Sequence, residues 1–202
     1  MVRAVLCLFL VLETSSLWGQ IPQPQELASP QALALEEARR RATAFAQELL
    51  ATLMAELKDS GPSSAIKVCA IKASELAKAH SGQDVSVRRV TLQPRNPANR
   101  PDAFEEEQLR VMAKKAAAGE SVGEVWQWLE GTGETALRYL RPIFVGKLCL
   151  RCHGLRQDLD PEVRRLLAEL YPQDQAVGYR LGDFRGAVSV TVHVRAEGSG
   201  KP

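Results

Sequence analysis

Five consecutive residues, Cys149-Leu150-Arg151-Cys152-His153, constrain this chain more than any other segment. The 202 residues contain four cysteines and three histidines, and two of those thiols and one imidazole fall inside this single stretch. Whatever the rest of the chain builds must present these three groups together on one local turn.

The spacing is that of covalent c-type haem attachment. Two thiols separated by two residues can reach the two vinyl groups of one porphyrin, and the adjacent histidine is then placed to bind the iron through its imidazole. Three other chemistries use similar residues. A zinc site needs four protein ligands, and no second Cys-x-x-Cys or spaced histidine pair lies near. A dithiol redox pair belongs at the start of a helix in a βαβ context, which the segment after His153 does not supply. A disulfide between Cys149 and Cys152 would close a small ring that constrains an unfolded chain little.

The N-terminus bears on the choice, because c-type attachment takes place outside the cytoplasm. Arg3 precedes an apolar run from Ala4 to Leu12, followed by Glu13, Thr14, Ser15 and Ser16, the layout of a secretory signal. The run is too short to cross a hydrocarbon core of about 30 Å as a helix. Residues 1–19 are therefore expected to be a signal peptide and the protein to be exported to a periplasmic or other extracytoplasmic compartment. Thr14, Ser16 and Gly19 make no clean cleavage pattern, so membrane association is expected only where the segment stays uncleaved.

The chain that follows reads as one domain. Residues 20–30 are rich in proline and glutamine and suit an extended linker, a domain is expected over residues 31–196, and residues 197–202 form a tail. Lys plus Arg number 26 against 24 for Asp plus Glu, a net charge of +2 with no long block of one sign, which argues against a nucleic-acid partner.

Within the domain the spacing of Leu35, Ala38, Ala42, Phe45, Leu49, Leu53 and Leu57 predicts a long amphipathic helix over residues 31–58. Pro62 opens a second helix to about His80, and Asp102 caps a third to Ala118. Strands are expected over residues 85–92, 125–130, 135–145 and 187–194, the middle pair as a hairpin and the last burying its valine face. Pro161 starts a short helix to Leu170. Segment 94–101, with three prolines, is expected to be a shaped loop. Helices and antiparallel strands without βαβ alternation give an α+β fold class.

Several segments together resemble a known family. Tyr139-Leu140-Arg141-Pro142-Ile143 leading into Leu148 to Gly154, Val87 to Val90 running into Pro94 to Asn99, Tyr171-Pro172 with Gly178-Tyr179-Arg180, and Gly186 to Val190 are similar to the single-haem c-type cytochromes with a PAS-like fold. That family was long catalogued as a domain of unknown function and contains exported haem-binding and sensor-type proteins. The resemblance covers about residues 33–195 and implies a PAS-like antiparallel sheet flanked by helices, with one covalently attached haem c. Ser74 stands where a proline is common and Phe104 where a tryptophan is common.

The resemblance also reaches Ala65 to Cys69, where members carry a cysteine as second axial ligand, and so implies Cys69 in that role. By helical spacing alone Cys69 joins Ile66, Ala73 and Leu76 on an apolar face, and Met54, Met112, His80 and His193 compete with it. Arg95 and Asn96, with Arg88, Arg89 and Asn99, form a polar loop that could hold haem propionates or simply be solvated. The expected role is an electron carrier or redox sensor with an unknown redox partner, not an enzyme. A sensor of a diatomic gas is the alternative, and a peroxidase would need a distal acid or base that only His80 or His193 could supply.

Overall fold

The computed structural model describes residues 29–131 and 135–195, and of residues 67–70 the backbone alone. The expected signal peptide, most of the linker, the tail, and part of the hairpin turn lie outside the described residues. Among the described residues no helix is long and apolar enough to cross a membrane.

Helix α1 spans Pro30–Asp59, with Ser29 accepting from the Ala32 N–H and Pro30 in the first turn. Its buried residues, Ala34, Ala38, Ala42 and Phe45, recur every three or four positions and make one narrow stripe. Three alanines in that stripe let the helix axis approach a sheet closely before Phe45 fills the deeper space. After a turn at Gly61, whose φ of +79° favours glycine, helix α2 runs over Gly61–His80.

The sheet has four antiparallel strands, β1 (Val85–Val90), β2 (Val125–Glu130), β3 (Thr135–Phe144) and β4 (Phe184–Val194), in the order β1-β4-β3-β2. The hairpin expectation is met: Val125 to Glu130 pair with Leu140 to Thr135. Pro142 sits inside β3 without breaking the sheet, because β3 runs four residues past the end of its β2 partner and is paired there with β4 alone. Gly186 has no substitute in this arrangement: its φ is +144° and a Cβ there would stand 2.3 Å from the Val90 carbonyl oxygen.

One sheet face packs under α1, where Val87, Leu137, Tyr139, Val188, Val190 and Val192 meet the alanine stripe and Phe45. The valine face of β4 is thus buried as expected. Its other face is covered as well at one end, where Ala187 and Ser189 lie under helix α3 (Ala103–Ala117). Leu109 and Met112 of α3 close on Val90, Leu140 and Ala187. Asp102 caps α3 in a full capping box with Glu105. The α+β class and the antiparallel sheet flanked by helices, with a long N-terminal helix, are as the sequence and its resemblance led us to expect.

Past β3 come a four-residue helical turn α4 (Leu150–His153) and helix α5 (Pro161–Leu170), which begins at the expected proline. Helix α2 packs against both. The end of β3, α4, α2 and α5 thereby converge at one corner of the domain.

Candidate functional site

The corner is built by backbone hydrogen bonds before any side chain contributes. Cys149 N–H donates to the Gly146 carbonyl at 3.0 Å, His153 N–H to Cys149 at 2.9 Å, and Gly154 N–H to Leu150 at 3.0 Å. These close a single helical turn in which positions 149, 152 and 153 share one side. Gly154 ends it, and a Cβ there would lie 2.6 Å from the Leu150 carbonyl oxygen, so the exit path requires glycine.

A second segment then laces onto this turn. Gly178 N–H donates to the Gly154 carbonyl and Tyr179 N–H to that of His153, both at 2.9 Å. Val145 and the turn at 182–183 exchange two more bonds of 2.9 Å. Both Cys149 and Cys152 are partly buried. Cys149 packs near Val145, Ala176 and Tyr179, and Cys152 beside Ile66, Leu159, Val163 and Leu167.

His153 is the best-held group of the corner. Its Nδ1 stands 2.6 Å from the carbonyl oxygen of buried Ala176, a contact that requires the proton on Nδ1 and leaves the Nε2 lone pair free. The Tyr179 ring meets the imidazole edge-on at 6.3 Å. Desolvation lowers the imidazole pKa well below its ordinary value, the Arg95 and Arg185 charges lower it further, and the Ala176 bond opposes them only in part. The ring is therefore neutral at physiological pH, the form that can donate a lone pair to a metal.

Arg95 is drawn into the same corner from the proline loop. Its Nη2 donates to the Cys152 carbonyl at 2.6 Å and to the Ala176 carbonyl at 3.2 Å, while Nε reaches Asp174 at 3.1 Å. Both Arg95 and Asp174 side chains are almost wholly buried, 8% and 5% exposed. Asn96 has a local task, accepting from Ala98 N–H at 3.0 Å to cap a short 3-10 turn at Pro97–Asn99. The Asn99 carbonyl receives Thr91 N–H, and Arg88 donates to the carbonyl of Arg100 on the opposite side of the loop. Arg89 contributes positive charge felt at His153.

Cys69 lies in helix α2, the helix packed on α4, and its side chain is outside the described residues. The four competing residues are placed elsewhere. Met112 is buried under α3, His80 Nε2 meets Glu48 at 2.7 Å, His193 lines a recess on the α3 face, and Met54 is half exposed on α1.

Sequence reasoning missed Asp174 and Ala176, which together orient His153. Asp174 Oδ1 accepts the Ala176 N–H at 2.8 Å and its Oδ2 holds Arg95. An Asp two residues before a buried small residue is a local turn signal, but nothing local shows that the carbonyl it positions will meet a histidine 23 residues earlier. Arg185, which stacks 5.2 Å over Tyr179 and donates to Thr91 Oγ1 at 2.7 Å, was missed for the same reason.

A four-stranded antiparallel sheet with helices on both faces, carrying two thiols and a neutral, oriented imidazole on one turn at its corner, defines a class of α+β domain built around a Cys-x-x-Cys-His site. Residues 30–193 match the family model described as Tll0287-like, and the chain belongs to the Tll0287-like family. The chain is similar to the solved structure described as "Crystal structure of the cyanobacterial heme-protein Tll0287", at 28% identity and a TM-score of 0.58, over 84% of this chain and 99% of that one. No curated protein matches it.

Proposed function

We propose that this chain is an exported monohaem c-type cytochrome that carries single electrons or reports redox state. In this reading haem is bound covalently through Cys149 and Cys152 and ligated by His153 and Cys69. One observation carries it: the Nδ1–H of His153 is committed to the Ala176 carbonyl at 2.6 Å, within one turn of the Cys149 and Cys152 side chains. A solved relative described as a heme-protein supports the same cofactor. The donor set fits the group, since two thiols suit thioether formation and a neutral imidazole with a carbonyl on its far nitrogen suits iron.

Haem, when bound, supplies a one-electron ferric/ferrous couple. The protein's own residues do the rest. The Ala176 carbonyl fixes the His153 tautomer and makes Nε2 a stronger donor. Arg95 ties that carbonyl and the Cys152 carbonyl to buried Asp174, so the imidazole and the second thiol keep their relative place. Arg95, Arg185 and Arg89 put positive charge around the imidazole and favour the lower-charged state of whatever His153 binds. A thiolate from Cys69 opposes them by favouring ferric iron.

The test is direct. Protein made with export and haem-maturation machinery keeps its colour through acid-acetone extraction, and loss of all haem into the organic phase overturns covalent attachment. Absorption and electron paramagnetic resonance of Cys69→Ala then report the sixth ligand, and an unaltered low-spin ferric spectrum overturns that assignment. Spectra with and without carbon monoxide decide the role: a six-coordinate haem that refuses the gas supports electron transfer, rapid binding supports gas sensing, and an open high-spin ferric site supports a peroxidase.

A further inference from the structure

On the sheet face opposite α1, helix α3 covers only the end nearest Val90 and Ala187. Beyond its first turn the strands are left open, and a recess of about 390 Å³ lies over them. Arg88 of β1 and Arg138 of β3 form its charged walls with Asp102 and Glu105 at the start of α3, and Leu129 and Ala136 line its apolar side. Ser86 and Thr191 add hydroxyls.

The four charges are arranged in alternation. Arg138 Nη2 lies 2.7 Å from Asp102 and 3.5 Å from Glu105, and Arg88 Nη2 lies 3.9 Å from Glu105. Glu105 is 2% exposed at its side chain and is held further by Ser189 Oγ at 2.7 Å and by the Asp102 N–H at 2.9 Å. The Arg138 guanidinium is also held over the Phe104 ring at 4.7 Å. Yet the Nε–H groups of both Arg88 and Arg138 are buried without an acceptor. Solvent does not reach these two atoms, so their cost is borne inside the fold, and a ligand in the recess would meet the rest of each guanidinium instead.

The balance of charge selects the ligand. A simple anion that approached the two guanidiniums would also face two carboxylates, and a simple cation would meet the reverse. A molecule with both signs a few ångströms apart can place its carboxylate against Arg138 and Arg88 and its ammonium against Asp102, which keeps half of its carboxylate in the open. The Leu129 and Ala136 side then accepts a short apolar group. We propose that this recess binds a small zwitterion of the free α-amino acid class, with a short aliphatic side chain. The proposal does not depend on haem, since the recess and His153 belong to separate parts of the domain.

Isothermal titration calorimetry on the full-length protein tests it, with glycine, L-alanine, L-valine and L-leucine as probes and isovalerate and isoamylamine as single-charge controls. At least one amino acid is expected to bind, with either control at least tenfold weaker. Arg138→Gln should weaken that binding at least tenfold. Ser86→Tyr, a substitution at an exposed strand position on the rim, should remove it while leaving the melting temperature near that of the parent. Absence of binding by all four amino acids overturns the proposal, as does isovalerate binding equally well. Unchanged affinity in both variants overturns the location, and if Arg138→Gln does not fold, Ser86→Tyr decides alone.

Discussion

Two arginines of this protein meet carboxylates under opposite conditions. Arg95 is sealed at the corner beside α4, where Asp174 and two backbone carbonyls take up its donors and both partners are nearly without solvent. Arg138 is on the sheet, where its partner Asp102 is half open to water, its Nε–H has no acceptor, and a cavity lies beside it. The first arrangement satisfies its own groups and works as a clasp between distant segments of chain. The second leaves a half-exposed carboxylate at the wall of a recess, where a ligand can reach it. A third pair, Arg39 with Glu124, lies at the surface with 52% and 33% exposure and marks the weak end of the same scale.

The largest effect is expected at the clasp. Arg95→Ala leaves buried Asp174 without its ion-pair partner and takes a donor from the Cys152 carbonyl, while the Ala176 carbonyl keeps His153, and the loss should cost about 3–5 kcal/mol in urea unfolding. Arg95→Ala combined with Asp174→Ala should recover part of that loss, and a cycle with no coupling would break the contrast with Arg138. Any shift in midpoint potential of Arg95→Ala protein would further tie the clasp to His153.

Gly154→Ala comes next. Its Cβ would meet the Leu150 carbonyl oxygen, and the backbone shift needed to avoid it should cost about 1–3 kcal/mol and disturb the thiol turn. A fully stable Gly154→Ala protein with normal haem incorporation would show that the corner is looser than the clasp implies.

Arg138→Gln should cost only about 1 kcal/mol, because water already screens Asp102 and Arg88 still faces Glu105. A loss as large as that of Arg95→Ala would place the recess among the structural sites. The smallest effect concerns Glu124. The hydrogen bond from Arg39 holds its carboxyl below the usual range, opposed by partial burial and aided by the Tyr139 hydroxyl at 2.8 Å. A lowered folded pKa contributes stability above the unfolded value near 4.5 that is lost as pH falls through the folded one. Glu124→Gln should therefore flatten the acid limb of a stability profile slightly and leave stability at pH 7 within about 1 kcal/mol of the parent.

Much of this protein could be read along the chain because its signals are local. The alanine and leucine spacing of α1, the Asp102 cap of α3, Pro161 at the head of α5 and the valine alternation of β4 each act through neighbours within four residues, and each element formed where those signals stand. The Cys149, Cys152 and His153 set was legible for the same reason, since one helical turn brings the three together regardless of what surrounds them. Tertiary structure alone decided the rest. Only packing shows that Ala176 carries the carbonyl that orients His153, that Arg95 spans 79 residues to reach Asp174, and that α3 stops short of the strand ends and opens the Arg88 and Arg138 recess. Hydrogen bonds between segments this far apart depend on where the sheet register and helix lengths place each backbone atom, and no pattern of neighbouring residues encodes that distance.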